Sequence, residues 1–353
     1  MTNRKTENPE KLLITTLSGI KEPSTPIWLM RQAGRYLPEY RKLRVNTNSF
    51  LDLCYSPDMA TTITLQPIRR FNLDAAIVFS DILVIPDALG QEVKFVEGEG
   101  PRLGPMNEDR GHLSLDKQKF LSHLSPVYET IQKISSSDIG KTAIIGFAGA
   151  PWTIATYMIE GGPTKTFSKV KGWSYRDPDS FERLINGLVV AITWHLEQQI
   201  QAGAEVIQIF DSWAGVLSPK SFHRWVIKPT RQIVQNIKNS YSHIPIIGFP
   251  RGAGIGYVDY VNETKVNAVS LDTTVPTRWA AENIPKDCVL QGNLDPDALL
   301  NGGIPMLEHI RTILRDFSER NHVFNLGHGV LPTTPINNVE TLIKTVKSYN
   351  SSN

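Results

Sequence analysis

The sequence is poor in cysteine and in unbalanced charge, and each shortage excludes a class of protein. Its two cysteines, Cys54 and Cys288, are too few for a disulfide framework or for a zinc site of four thiolates. Lys and Arg number 37 against 35 Asp and Glu, a net charge of +2. Nonspecific binding to nucleic acid or to an anionic membrane depends on many more unbalanced cations, so we expect neither partner.

Long apolar segments are missing as well. No run approaches the ~18 apolar residues that a membrane-spanning helix needs. The first ten residues, MTNRKTENPE, lack the apolar core of a signal peptide, and we therefore expect a cytoplasmic protein. Hydrophobic residues make up 41% of the chain and charged residues 20%, which is typical of a compact globular fold and not of a disordered chain.

Short apolar segments alternate with longer helical patterns along the chain. The predicted helices include 57–71, 179–202, 219–237, 304–317 and 335–348. The predicted strands are 26–30, 75–80, 142–148, 204–211, 244–249, 268–272, 288–291 and 322–326. This alternation favours a single (β/α)8 barrel over residues 1–353, with an active-site cleft at the carboxyl ends of the strands. An open doubly wound sheet is the alternative, because periodicity does not reveal whether a sheet closes.

One segment interrupts the alternation. Residues 93–115 contain the run Glu97–Pro105, which is too rich in Gly and Pro for a helix. We interpret this segment as a hairpin or lid on the rim of the barrel.

Polar residues follow most of the predicted strands, where a barrel enzyme places its functional side chains. They are Arg31, Ser80, Asp81, Asp211, Ser212, Arg251, Asp272, Gln291, Asn293 and His328. Asp81 lies in a largely apolar run, so it is either a structural carboxylate paired with an arginine or a carboxylate directed into the barrel mouth. Tyr157 suits either a helix core or a catalytic role, and His328, between two glycines, could bind a carboxylate or donate a proton.

The segment that follows the first strand is strongly basic. Residues 31–44, RQAGRYLPEYRKLR, carry five positive charges, four of them from arginine, and one negative charge. Guanidinium groups bind carboxylates and phosphates in a bidentate manner, so the segment predicts a cradle for a polyanionic small molecule. A solvated basic face paired with acidic residues is the alternative. Gly34 and Pro38 argue against a continuous helix, and no phosphate-binding glycine motif accompanies the segment.

Two long motifs resemble signatures of the uroporphyrinogen decarboxylase family. They are PIWLMRQAGRYLPEYR at 26–41 and GFAGAPWTIATYMIEGG at 146–162. Shorter similarities are FSDILVIPDALG at 79–90, FDSWAG at 210–215 and FNLGHGV at 324–330. Because they extend from the first predicted strand to the last, the resemblance covers essentially the whole chain.

The resemblance implies a distorted (β/α)8 barrel that forms a homodimer. It also implies an enzyme of heme biosynthesis, a carboxy-lyase that converts the four acetate side chains of uroporphyrinogen III to methyl groups without cofactor or metal. Protonation of the pyrrole ring would then supply the electron sink. The implied catalytic residues are Arg31, Asp81 and Tyr157. The implied substrate-binding residues are Arg31, Gln32, Arg35, Arg44, Asp81, Tyr157, Phe210, Ser212 and His328.

Other functions are disfavoured by residues that the sequence lacks or contains. A corrinoid-dependent methyltransferase of the same superfamily would bind zinc through a His-x-Cys pair, and residues 247–251 (IGFPR) contain no such pair. A non-catalytic tetrapyrrole carrier is disfavoured by the joint presence of Arg31, Asp81 and Tyr157. A hydrolase or a dehydrogenase is disfavoured because the sequence lacks Gly-x-Ser-x-Gly and nucleotide-binding motifs.

Overall fold

The fold is built on a parallel sheet of seven strands. The computed structural model describes residues 11–45, 47, 49–96, 98–106 and 113–349. The strands of the sheet, in spatial order, are β1 (Ala75–Ile77), β4 (Ala143–Gly149), β5 (Val206–Asp211), β6 (Ile246–Pro250), β7 (Ala268–Ser270), β8 (Val289–Gln291) and β9 (His322–Val323). Neighbouring strands in the sheet also follow one another along the chain, apart from an antiparallel hairpin inserted after β1. The predicted α/β class is confirmed.

The inserted hairpin consists of β2 (Val93–Val96) and β3 (Gly100–Leu103), which pair antiparallel. It lies in the Gly- and Pro-rich segment 93–115, for which the sequence predicts a hairpin or lid. Residues 97 and 107–112 of that segment, like the N-terminal decapeptide, lie outside the described residues.

Helices connect the strands and cover the sheet. They are α1 (Leu12–Leu17), α2 (Pro38–Arg44), α3 (Phe50–Cys54), α4 (Pro57–Phe71), α5 (Val84–Ala88), α6 (Lys117–His123), α7 (Ser125–Ser135), α8 (Pro151–Glu160), α9 (Ser168–Arg176), α10 (Pro178–Gln201), α11 (Pro219–Phe222), α12 (Lys228–Ser240), α13 (Tyr257–Thr264), α14 (Thr277–Asn283), α15 (Pro296–Asn301), α16 (Gly303–Asp316) and α17 (Ile336–Lys347). In the described part of the chain, no helix is both long and apolar enough to cross a membrane.

Two sequence-based helix predictions need correction. The predicted helix 219–237 is divided into α11, a π-helical turn at His223–Ile227 and α12. Pro229 lies in the first turn of α12 and has no N–H to continue the regular hydrogen-bond ladder. In the basic segment, Pro38 does not prevent a helix, because it occupies the first turn of α2 and its missing N–H is unpaired there in any helix.

The segment predicted as the first strand forms backbone contacts with both edges of the sheet. On one side, the N–H of Phe324 donates to Pro26 O at 2.8 Å, and that of Trp28 donates to Phe324 O at 3.3 Å. On the other side, the N–H of Asp74 donates to Ile27 O at 3.0 Å, and Ile27 N–H donates to the Asp74 carboxylate at 2.8 Å. Residues 26–28 therefore lie between β9 and β1.

Both faces of the sheet are buried, as a parallel sheet requires. A smaller cluster holds apolar side chains from nearly every strand together with Trp28 and Met30, and Leu13 and Leu17 of α1 join it. A larger cluster packs the other face of the strands against the helices. Because the strands are parallel, the loops that follow their carboxyl ends lie at one edge of the sheet, and this edge is called the mouth.

Candidate active site

Arg31 occupies a strained turn at the carboxyl end of the segment 26–30. Its backbone is left-handed, with φ of 60°, a conformation that residues other than glycine rarely adopt. The turn is held by the N–H of Met30, which donates to the side chain of Asn325 at 3.0 Å, and by Met30 O, which accepts from Val330 N–H at 2.9 Å. The loop after β9 thus fixes the direction in which Arg31 leaves the sheet.

Gln32 supports the same turn through hydrogen bonds from its side chain to the backbone. Its side chain is fully buried, with the amide oxygen accepting from Leu29 N–H at 3.1 Å and the amide nitrogen donating to Ala75 O at 2.9 Å. Both polar ends of the side chain are therefore engaged by backbone. These bonds give Gln32 a supporting position beside Arg31, and the contact with substrate that the resemblance implies stays a prediction.

Gly329 makes room for the Arg31 side chain. A Cβ atom at position 329 would stand 2.3 Å from Arg31 Cδ and 2.6 Å from Arg31 Cγ, well inside van der Waals contact. The arginine side chain consequently lies across the glycine-rich loop after β9 while remaining exposed to solvent.

Asp81 follows β1 and is largely surrounded by protein atoms, with part of its surface open at the mouth. Desolvation raises the pKa of its carboxyl group to about 6, although the hydrogen bond from Leu83 N–H and the charge of Arg31 act to lower it. The Leu83 N–H lies 2.8 Å from the carboxylate. Among the described residues no ion pair holds Asp81, so its carboxylate stands near Arg31 without a bound cation.

Tyr157 on α8 shares the electrostatic environment of Asp81. Burial and the charge of Asp81 raise the pKa of its hydroxyl, while Trp213, Arg31 and Arg251 lower it. The ring packs against that of Trp213 with centroids 6.1 Å apart. The tyrosine hydroxyl is thus protonated at neutral pH and within reach of both charges of the mouth.

His328, in the loop after β9, is half-buried. Desolvation lowers the pKa of its imidazole to about 4, and the positive charges of Arg31 and Arg251 act in the same direction against Asp272. At neutral pH the ring is therefore uncharged. It keeps one N–H donor and one acceptor nitrogen.

Aromatic rings line the carboxyl ends of three adjacent strands. The ring of Phe210 lies between those of Phe147, at 5.6 Å and 86°, and Phe249, at 6.1 Å and 88°. These edge-to-face pairs span β4, β5 and β6. Ser212, just beyond Phe210, is half-buried. The mouth therefore combines an apolar wall with the charged groups described above.

Arg35 and Arg44 belong to the basic segment and lie near Tyr40. The positive charges of both act on the Tyr40 hydroxyl, whose pKa burial raises overall. Arg35 is exposed, whereas Arg44 donates to Thr47 O at 3.1 Å and to its hydroxyl at 2.8 Å. Within the basic segment, Arg31 is the residue whose charge acts on Asp81, on Tyr157 and on His328 alike.

Residues 8–349 match the family model described as uroporphyrinogen decarboxylase. The chain belongs to the uroporphyrinogen decarboxylase family. A uroporphyrinogen decarboxylase from Rhodospirillum rubrum is 48% identical over 339 residues, which cover 96% of this chain and 97% of that protein. One from Rhizorhabdus wittichii is 48% identical over 335 residues, covering 95% and 97%. The resemblance seen in the sequence motifs is thereby confirmed.

Among solved structures, a methyltransferase from Methanosarcina mazei aligns with a TM-score of 0.76. It covers 95% of this chain and 96% of its own, at 19% sequence identity. Identity this low shows only that this chain and that protein share a fold.

Each cysteine of this family member is buried and free. Burial raises the pKa of Cys54 well above its ordinary value and that of Cys288 to about 12, so both are thiols at neutral pH. Within the described residues, no group of three or more His, Cys, Asp and Glu side chains is placed to hold a metal ion.

Asp211 and Thr153 join two family motifs in a way that the sequence did not suggest. Thr153 on α8 donates its hydroxyl to the buried Asp211 carboxylate at 2.5 Å and accepts from Trp213 N–H at 3.1 Å. The other carboxylate oxygen of Asp211 is buried without a partner in the described residues. Burial raises the pKa of Asp211 to about 7. Its place after a strand was visible in the sequence, but its burial was not.

The buried carboxyl of Asp211 makes a prediction about stability. Because its pKa is about 7 when folded and 3.8 otherwise, its favourable contribution is complete below pH ~4 and declines as pH rises toward 7. Asp211→Asn keeps an acceptor for Thr153 and cannot ionise. Relative to the parent, this variant should gain on the order of 2 kcal/mol of unfolding free energy between pH 5 and pH 8, measured by urea unfolding.

The exposed Asp297 on α15 supplies the control for this measurement. Asp297→Asn removes the same charge without touching a buried carboxyl and should leave the pH dependence of the parent unchanged. An equal pH dependence for Asp211→Asn and the parent would show that Asp211 does not titrate in this range.

Proposed function

We propose that this chain decarboxylates the four acetate side chains of uroporphyrinogen III, giving coproporphyrinogen III and four molecules of CO2. The observation that carries the proposal is the convergence of Arg31, Asp81, Tyr157 and His328 on one mouth in a chain of this family. The activity is the one that the names of the bacterial relatives state.

The chemistry of the substrate fits the charges at the mouth. Uroporphyrinogen carries eight carboxylates, for which exposed guanidinium groups such as those of Arg31 and Arg35 are suitable partners. Its four pyrrole N–H groups can converge on one acceptor. Asp81 suits that role, because it is unpaired among the described residues and ionised above pH ~6. The half-buried rings of Phe147 and Phe210 offer an apolar surface to the pyrrole rings.

The reaction requires a place for the electron pair of the broken bond. A proton first adds to the ring carbon next to the one that bears the acetate, which makes the pyrrole cationic. The bond to CO2 then breaks, and its electrons enter the ring as an exocyclic methylene forms. A second proton adds to the methylene and the first leaves the ring carbon, so that each cycle consumes one proton and releases one CO2. Asp81 stabilises the cationic ring electrostatically.

The remaining residues bind and orient. Arg31 holds the reacting acetate and takes part in proton delivery. With a pKa of about 4, His328 acts as a neutral hydrogen-bonding partner. Tyr157 offers a hydroxyl next to Asp81. Arg35, Arg44, Phe210 and Ser212 contact the rest of the substrate, and Gln32 contributes by supporting the turn of Arg31. No cofactor or metal takes part in this scheme.

We also propose that residues 1–353 form one barrel domain, closed by the segment 26–28 between β9 and β1. Hydrogen bonds from that segment to Phe324 and Asp74 support closure. The protein is proposed to work in the cytoplasm as a homodimer. Val45 and Ile255 are both 83% exposed and offer apolar side chains for a subunit contact. A monomeric mass in sedimentation velocity would contradict the homodimer.

Product analysis tests the proposed reaction directly. Incubating the purified protein with uroporphyrinogen III under anaerobic conditions should give hepta-, hexa-, penta- and finally tetracarboxylate products, separated by chromatography after oxidation. A folded protein that forms none of them would contradict the proposal.

Asp81→Asn tests the electrostatic role of the carboxylate. The amide oxygen can still accept from Leu83 N–H, so the fold should persist, while kcat/KM should fall roughly a hundred- to a thousandfold. In the parent, kcat/KM should decline as pH falls through about 6, because Asp81 becomes protonated. That decline should vanish in the variant. Loss of the native circular dichroism spectrum would instead assign Asp81 a structural role.

Gly329→Ala tests the placement of Arg31. The added methyl group would overlap Arg31 Cδ and Cγ and displace a flexible side chain, so kcat should fall roughly ten- to a hundredfold while the unfolding free energy changes by less than about 1 kcal/mol. Gly104→Ala is the control, because a Cβ there meets its nearest neighbour, Glu92 Cβ, at an ordinary 3.6 Å. Unchanged kcat in Gly329→Ala would refute the need for this Arg31 conformation.

A further inference from the structure

Arg251 is a second arginine at the mouth, fixed by the backbone at the carboxyl end of β6. Its N–H donates to Asp211 O at 3.1 Å, and its carbonyl accepts from Gly215 N–H at 2.9 Å. Gly215 itself packs against the next loop so closely that a Cβ there would lie 2.4 Å from Gly252 O. The base of the Arg251 side chain is therefore held between the loops that follow β5 and β6.

No carboxylate in the described part of the chain forms an ion pair with Arg251. Two acidic strand-end residues lie beside Arg251, and both are engaged by neutral groups: Asp211 accepts from Thr153, and Asp272 follows β7. The two oxygens of Asp272 accept from Gly252 N–H at 2.6 Å, Tyr257 Oη at 2.8 Å, Thr274 N–H at 2.9 Å and Thr274 Oγ1 at 2.6 Å. Although burial opposes ionisation, these donors hold the pKa of Asp272 below its ordinary value. The carboxylate is thus solvated by neutral groups.

The loops that carry Arg31, His328 and Arg251 are in contact. Arg31 packs on Gly329, a Cβ at Gly327 would lie 2.9 Å from the backbone carbon of Asp272, and the Asp272 carboxylate accepts from Gly252 N–H at 2.6 Å. Both arginine charges act on the Tyr157 hydroxyl and on the His328 imidazole, although Arg31 follows the segment between β9 and β1 and Arg251 follows β6, the middle strand of the sheet.

The mouth also holds the carboxylates of Asp81 and Asp272. Neither arginine forms an ion pair with a carboxylate in the described residues, so both guanidinium groups remain available to a ligand anion. Half-burial of Arg251 leaves part of its side chain open to a ligand.

We propose that Arg251 binds a carboxylate of the tetrapyrrole different from the one held by Arg31, so that the two arginines fix the ring at two points of its rim. This inference rests on the proposed function for the identity of the ligand. A planar guanidinium fork suits a carboxylate better than a point charge does. Arg251 is accordingly a residue of substrate affinity and orientation.

Kinetics with Arg251→Met and Arg251→Lys test the role. Arg251→Met should raise KM for uroporphyrinogen III roughly ten- to a hundredfold, the loss expected for a charge-assisted hydrogen-bonded contact, with kcat changed less than KM. Arg251→Lys should fall between Arg251→Met and the parent. The control Arg183→Met removes an exposed arginine from α10 and should match the parent. An unchanged KM in Arg251→Met, or a fall in kcat alone, would overturn the proposal.

Binding of uroporphyrin III, the oxidised octacarboxylate, separates this inference from the proposed reaction. Fluorescence titration should give a raised Kd in Arg251→Met and an unchanged Kd in Arg183→Met. A parent that binds uroporphyrin but forms no decarboxylated product would contradict the proposed function, and the Kd of Arg251→Met would still decide the role of Arg251. An equal Kd for parent and variant would overturn that role.

An NMR titration of the His328 imidazole tests the position of Arg251 separately. Because the Arg251 charge helps to lower the pKa of that imidazole, Arg251→Met should shift the His328 titration upward in NMR spectra, with the resonance assigned by its loss in His328→Gln. Arg183→Met should produce no shift. An unshifted His328 titration in Arg251→Met would place Arg251 away from the mouth and overturn the proposal.

Discussion

The hydrogen bonds made by residues 26–31 are the interaction on which the site depends. This short segment reaches β9 through Phe324 and β1 through Asp74, and its last residue is the arginine that enters the mouth. The left-handed backbone of Arg31 is unfavourable in isolation. It persists because Asn325, Val330 and the buried Gln32 hold the turn from separate sides. The surroundings thus supply the energy that a strained functional residue requires.

The surroundings of the titratable groups at the mouth set which of them are charged at neutral pH. Burial would raise the pKa of any carboxyl group at the mouth, yet Arg31 and a backbone N–H keep that of Asp81 near 6, low enough for a carboxylate at neutral pH. Desolvation and the charges of Arg31 and Arg251 act against a proton on His328. One charge arrangement therefore yields an anion beside a neutral imidazole, and both are suited to a ligand that carries N–H donors and carboxylates.

Sequence patterns predicted the elements well where the cause is local. Helix 57–71 has the predicted bounds, because Pro57 begins it and Asn72 ends it in a left-handed conformation. The strand 75–80 proved shorter, at Ala75–Ile77, since the functional loop starts inside the apolar run. The segment 26–30 contributes a single bridge, Ile27 to Phe324. Apolar content predicts which residues are buried. The length of a strand also depends on its hydrogen bonds to neighbouring strands, which are distant in sequence.

The site was predictable as a set of residue types and not as a set of roles. Strand-end positions brought out Arg31, Asp81 and His328, because a parallel sheet gathers them at one edge. The role of each residue depends on tertiary contacts. The Gln32 side chain hydrogen-bonds to backbone groups, and Arg44 donates to Thr47. Arg251 has no carboxylate partner among the described residues. The sequence pattern does not show whether neighbouring groups already donate hydrogen bonds to a carboxylate such as that of Asp272.

The contact between Met30 and Asn325 joins residues 295 positions apart in sequence. A chain still being synthesised therefore has no correctly oriented Arg31 until its last strand has emerged and docked. Contacts of such long range form late in folding, because closing a large loop costs entropy that only the finished core repays. The binding surface and the completed fold thus arise together, and an incomplete chain presents no partly functional site.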